Sequence, residues 1–140
     1  MTRPVILLVD DEQTILASLR DQLRRVFGRR FTYEAAASAP EAWKVLDELV
    51  AEGATIVVIV SDWLMPEIKG DAFLAEVRAR HPGIVRIMLT GQADAAAIQR
   101  AHGEAQVFQV MHKPWAEADL KNAIEQGIET MERLSQPPRA

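Results

Sequence analysis

Apolar residues along this chain follow two alternating patterns. Short apolar runs, rich in β-branched residues, read as strands: Val5 to Val9, Ile56 to Val60, Ile84 to Leu89 and Val107 to Met111, with a weaker alanine-rich one from Phe31 to Ala36. Between them apolar residues recur every three or four positions, the spacing of one helix face. Ile15, Leu16, Leu19, Leu23, Val26 and Phe27 share such a face, and Gly28 stops it. Ser38 or Ala39 leads into a second helix with Pro40 in its first turn, Ala42, Val45, Leu46, Leu49 and Val50 on its apolar face, and Gly53 at its end. Gly70 opens a third, carrying Phe73, Leu74 and Val77 and closed by His81-Pro82-Gly83. A fourth is predicted from Ala93 to His102, ended by Gly103, and a fifth from about Trp115 to Leu134. Five strands alternating with five helices imply βαβ units. The expectation is one α/β domain, a doubly wound five-stranded parallel sheet with helices on two faces. Residues 1–134 form the domain and 135–140 a flexible tail.

The polar residues sharpen this picture. The first strand ends in Asp10-Asp11, the third in Asp62, the fourth in Thr90-Gly91 and the fifth in His112-Lys113-Pro114. In an open parallel sheet the carboxyl ends of the strands share one edge, where such folds place their chemistry. Each residue has a local alternative. Asp11 could cap the first helix, Thr90 could cap the fourth, and Lys113 could be a solvated loop residue. All of them falling at strand ends favours a shared site. Two carboxylates about 4 Å apart repel by about 4 kcal/mol at an effective dielectric near 20, so three together call for a cation. Oxygen donors without thiols favour a hard ion such as Mg²⁺. Carboxylates, a hydroxyl and an ammonium around such an ion suit phosphoryl transfer, with one carboxylate as nucleophile. Asp10 and Asp11 are adjacent and suit metal holding; Asp62 stands alone on the central strand and is the expected nucleophile.

Composition narrows the classes further. The chain has 140 residues, no cysteine and a net charge of −4. Disulfides and thiolate metal sites are excluded, and the charge argues against direct DNA binding. No apolar run approaches the roughly 20 residues of a membrane helix. The opening MTRPVILLVDDE places acids directly after its short apolar run, unlike a signal peptide, so a soluble cytoplasmic protein is expected. There is no G-x-G-x-x-G and no P-loop, which leaves a nucleotide- or flavin-binding enzyme disfavoured. His81, His102 and His112 show no metal-ligand spacing, and Trp63 and Trp115 read as packing residues.

The segments VDDE (Val9 to Glu12), SDWLMPEIKG (Ser61 to Gly70), LTG (Leu89 to Gly91) and HKPW (His112 to Trp115) together resemble the receiver domains of two-component response regulators, over about Pro4 to Met131. The resemblance implies strand order 2-1-3-4-5 and a role for each matched position. Asp62 matches the phosphoacceptor. Asp11 matches a direct Mg²⁺ ligand and Asp10 a metal or water-mediated partner; Asp62 and the main-chain carbonyl of Leu64 complete the metal set. Thr90 and Lys113 match the hydroxyl and the lysine that meet the phosphate, with Gly91 contributing backbone, and Lys113-Pro114 matches a peptide bond usually cis in the family. The implied partners are a sensor histidine kinase or phosphotransfer protein, with its contact around Ile15, Leu16, Leu19 and Trp115, and an output partner or fused output domain reached through the surface of helix 4, strand 5 and helix 5.

Three positions depart from the pattern or tune it. Where most receivers carry a switch aromatic, three residues before the lysine, this chain has Val110. Phe108 is expected on the same side, by strand alternation, so output is expected to use the helix 4 surface more directly. Leu64 and Gln92 flank the expected path of an attacking water. Leu64 cannot orient water and Gln92 could, and slow loss of the phosphoryl group is expected. In the last helix Leu120, Ile124, Gly127, Met131 and Leu134 form a heptad-like seam. Its first half is expected to face the core, and its second half to serve as a homodimer seam or lead into an output domain. No helix-turn-helix fits after residue 134, so a stand-alone or excised receiver is expected. The alternative, favoured by Val110, is a phosphorylation-independent interaction module on the same fold.

Overall fold

The computed structural model describes residues 3–92 and 95–135. In chain order the elements are β1 (Val5–Val9), α1 (Gln13–Phe27), a short 3₁₀ turn (Gly28–Arg30), β2 (Thr32–Ala36), α2 (Ala39–Ala51), β3 (Ile56–Asp62), α3 (Gly70–Arg80), β4 (Val85–Thr90), α4 (Ala95–Gly103), β5 (Gln109–His112) and α5 (Glu117–Ser135). All strand pairings are parallel, in the order β2-β1-β3-β4-β5. This is the doubly wound flavodoxin-like arrangement.

Alternation along the strands divides the core between two faces. Ile6 and Leu8 of β1 and Val58 and Val60 of β3 join Leu16, Leu19 and Leu23 of α1 and Leu120, Ala123, Ile124 and Ile128 of α5. Val5, Leu7 and Val9 face the other way, onto Ala42, Leu46 and Leu49 of α2 and Phe73, Leu74 and Val77 of α3. Ile56 sits on this second face with Ile59 because the β1–β3 register shifts between Val5 and Ile6.

Local chemistry sets the element ends. Gly28 stops α1 at φ 58, and its N–H donates to the Arg24 carbonyl. The Ser38 hydroxyl caps α2 by accepting from the Glu41 N–H at 3.2 Å. Val50, expected on the apolar face of α2, is 50% exposed, since it lies past the stripe held by Leu46 and Leu49. β5 starts later than predicted: Gln106 takes a positive φ of 45, and the strand begins at Gln109. This break places Phe108 against Gly127 of α5, while Val110 packs into the α3 and α4 cluster. The two do not share a side, because the alternation holds only within a strand.

α4 is lightly anchored. Its buried residues are Ala97 and Ala101, whereas α3 buries Phe73, Leu74 and Val77. Two methyl groups supply roughly 1.6 kcal/mol of burial, no more than the roughly 1.5–3 kcal/mol of one hydrogen bond to a charged group. The last helix keeps Leu120 and Ile124 in the core, half-buries Met131 and leaves Leu134 75% exposed. Ala93, the expected start of the fourth helix, lies outside the described residues, as does the expected tail from 136 on; Ser135 belongs to α5. Among the described residues no helix is long and apolar enough to cross a membrane.

Candidate functional site

Parallel pairing brings the predicted polar residues to one edge. In the register, Val9 stands beside Ala36 and Ser61, Asp62 beside Leu89, and Thr90 beside His112. Asp10, Asp11 and Asp62 each offer a carboxylate oxygen within 4.8 Å of the others. Asp10 is fully buried, Asp62 is 5% exposed and Asp11 is open to solvent.

Lys113 reaches into this group from the end of β5. Its Nζ lies 3.0 Å from Asp10 Oδ2 and 3.0 Å from Asp62 Oδ1. It is thus no solvated loop residue. The Lys113 N–H donates to the Thr90 carbonyl at 2.8 Å, and the Lys113–Pro114 peptide bond is cis. Asp10 Oδ1 accepts from the Glu12 N–H at 2.8 Å, which orients it at the mouth of α1. The residue capping α1 is Glu12, without a side-chain bond, so the capping alternative for Asp11 is not realised. Thr90 is buried, and its hydroxyl oxygen accepts from the Gln92 N–H at 3.1 Å in a turn that precedes α4. Gly91 and Gln92 are exposed beside it, and Leu64 is 49% exposed just past Asp62.

The electrostatics follow from this crowding. Burial raises the Asp62 pKa above the ordinary carboxylate value; the Lys113 hydrogen bond opposes this, and Asp10 and Asp11 add to the rise. Burial alone would lower the Lys113 pKa, but its bonds to Asp62 and Asp10 outweigh that and raise it. Three carboxylates against one ammonium leave negative charge in excess. Oxygen-only donors with surplus negative charge fit a hard divalent cation.

The loop after Asp62 is held by backbone bonds. The Trp63 N–H donates to the Leu89 carbonyl at 2.9 Å, and the Trp63 carbonyl accepts from the Gly70 N–H at 2.7 Å. A Cβ at Gly70 would lie 2.1 Å from the Asp62 carbonyl oxygen, so only glycine allows this approach.

Residues 6–125 of the chain match the response regulator receiver domain. The chain belongs to that family. The receiver is 36% identical over 124 residues to the hydrogenase transcriptional regulatory protein HoxA of Cupriavidus necator, covering 89% of this chain and 24% of that protein. It is 31% identical over 123 residues to the probable chemotaxis protein CheY of Rhizobium etli, covering 86% of this chain and 88% of that one. Among solved structures, the signal receiver domain of an HD domain-containing protein from Pseudomonas fluorescens superposes with a TM-score of 0.82 at 30% identity, covering 94% of this chain and 98% of that one. The chain spans about a quarter or less of the first curated relatives it matches. It is a receiver domain of a two-component system, and such domains are signalling switches rather than enzymes in the usual sense.

Sequence reasoning missed two buried charged residues outside the receiver's acid pocket. Asp71, in the first turn of α3, is buried and bonded to Trp63 and to Arg100 of α4. Arg86 of β4 is buried and donates to the carbonyls of Ala105, Ile84, Pro82 and Gln106. A lone Asp after Gly70 and a lone Arg in an apolar strand carry no spacing signal. Of the expected kinase-facing residues, Leu16 and Leu19 are buried in the core. Ile15 and Trp115 instead line a cleft of about 350 Å³ with Ser18, Gln22, Lys113 and Pro114.

Proposed function

We propose that this receiver accepts a phosphoryl group on Asp62 from a histidine kinase or phosphotransfer protein. An Asp62 carboxylate oxygen attacks phosphorus as the bond to the donor nitrogen breaks, and the histidine leaves. Asp10, Asp11, Asp62 and the main-chain carbonyl of Leu64 would hold Mg²⁺, which neutralises charge on the transferring group. Lys113 and Thr90 would then meet the phosphate, with backbone from Gly91. The observation that carries this reading is the Asp10–Asp11–Asp62 cluster with Lys113 at 3.0 Å from two of its members. Catalysis at such a site is positioning and charge neutralisation.

The reading extends to partners. The donor is proposed to dock over the cleft between α1 and the β5–α5 loop, whose apolar wall is Ile15 and Trp115. The exposed end of α5 around Leu134 is the proposed place for an output connection or a homodimer seam. The receiver unit is taken as residues 1–134 and its location as the cytoplasm, where kinase and donor would be. The second reading, a phosphorylation-independent interaction module, is favoured by one observation: Val110, packed against the α4 cluster, has no ring to reorient.

Beryllofluoride with Mg²⁺ separates the two, because it mimics a bound phosphoryl group without transfer. A bound ¹⁹F signal is expected for the wild type and lost in Asp62→Asn and Asp11→Asn. No bound signal in the wild type would favour the second reading.

A further inference from the structure

The Asp71 carboxylate joins the end of β3 to α4. It is 5% exposed, yet both of its oxygens are engaged. Oδ1 accepts from the Trp63 indole Nε1 at 3.1 Å, and Oδ2 accepts from Arg100 Nε at 2.8 Å. Trp63 directly follows Asp62, and its backbone is tied to β4 through Leu89 and to α3 through Gly70. Its ring is buried, with the Lys69 ammonium 4.8 Å from the ring centre. The indole therefore cannot move without moving the end of β3 or Asp71.

Arg100 lies on α4, the helix held by only two buried alanines. Just past that helix, Arg86 donates to the carbonyls of Ala105 at 2.8 Å and Gln106 at 3.2 Å, pinning the chain there to β4. α4 is thus fixed beyond its carboxyl end and held along its length by small side chains and the Arg100–Asp71 pair. Elements with few buried apolar contacts sit at the low end of local stability. A shift of Asp71 changes a charged tie between α3 and such an element.

We propose that the Trp63–Asp71–Arg100 chain transmits the state of Asp62 to α4, with Asp71 and Arg100 as positioning residues. The inference rests on the reading of Asp62 as phosphoacceptor. Phosphorylation adds charge at the end of β3 and draws Lys113 and Thr90 to it. Trp63, fixed to that strand end, passes the displacement to Asp71, and Arg100 carries it to α4. Val110, in the same cluster, has no ring to take that part.

The test uses the ¹⁵N-labelled full chain with Mg²⁺ and a small acyl phosphate. Intact mass gives the phosphoryl occupancy, and backbone amide shifts of α4 give the response. Variants are Arg100→Gln, Asp71→Asn and Trp63→Phe, with Arg80→Gln as a control, an exposed α3 arginine outside the chain. At equal occupancy the α4 shift changes are expected to fall to half or less of wild type in Arg100→Gln and Asp71→Asn. They should fall no further in the double variant and stay unchanged in Arg80→Gln. Full-sized changes in both single variants at equal occupancy would overturn the inference and leave the pair a structural tie. If Asp71→Asn fails to fold, Arg100→Gln, whose side chain is 48% exposed, decides the matter. A wild type that gains no phosphoryl group removes the phosphoacceptor reading and this inference with it, and the mass readout distinguishes that case.

Discussion

Asp62 is buried, which raises its pKa, while Lys113 at 3.0 Å pulls the other way and two carboxylates add to the rise. The sign of its pH effect follows. Above the ordinary value near 3.8 the unfolded chain has released a proton that the folded chain still holds. Stability therefore falls as pH rises from there through the raised value, and stays lower at neutral pH. Lys113 acts oppositely: its raised pKa stabilises the fold below the ordinary lysine value and loses that contribution as pH climbs past the raised one. Asp62→Asn removes the carboxylate cost and leaves Lys113 paired with Asp10. Thermal melts at pH 7 without added Mg²⁺ are expected to show a gain of about 1 kcal/mol, roughly 3–5 °C in Tm. A lower Tm than wild type would mean that the Lys113 pair outweighs the burial of Asp62. A second residue-scale prediction concerns Leu64, half exposed beside the proposed acceptor Asp62 and unable to orient water. Leu64→Asn should speed loss of the phosphoryl group several-fold, followed as the decay of the phosphorylated mass; a rate no faster than wild type would remove Leu64 from that role.

At the scale of elements, the β3–α3 connection leaves no room for a side chain at Gly70. Gly70 opens α3 where a Cβ would meet the Asp62 carbonyl oxygen at 2.1 Å and the Trp63 Cα at 2.9 Å. Both are backbone, so neither can swing aside. Gly70→Ala is expected to cost about 2–3 kcal/mol in denaturant unfolding and to slow phosphorylation with it, since the same carbonyl belongs to the proposed acceptor residue. An unchanged midpoint would show that the loop can open. The elements also show what was legible in the chain. Strands β1 and β3 were readable because burial on both faces leaves unbroken apolar runs, and α1 because its stripe and Gly28 agree. The start of β5 and the side taken by Phe108 were not, since Gln106 adopts a positive φ that its residue type does not announce.

At the scale of the whole molecule, one edge of the sheet gathers the site. The strand order puts β1 and β3 at the centre, so the acids of two adjacent strands meet while Lys113 arrives from the edge strand β5. That convergence was legible because each residue ends a recognisable strand. The Asp71–Arg100 tie between α3 and α4 was not, because it depends on helix packing that leaves no periodic mark. The residues expected to face a kinase were read too broadly, as the helix stripe that marks α1 buries Leu16 and Leu19. The central claim is that the molecule is a phosphorylatable switch with Asp62 as acceptor. It is tested most directly by intact mass after incubation with Mg²⁺ and a small acyl phosphate, with Asp62→Asn alongside. The account predicts a gain of one phosphoryl group in the wild type and none in the variant. No gain in the wild type, with Mg²⁺ binding demonstrated, or an equal gain in both, would contradict it.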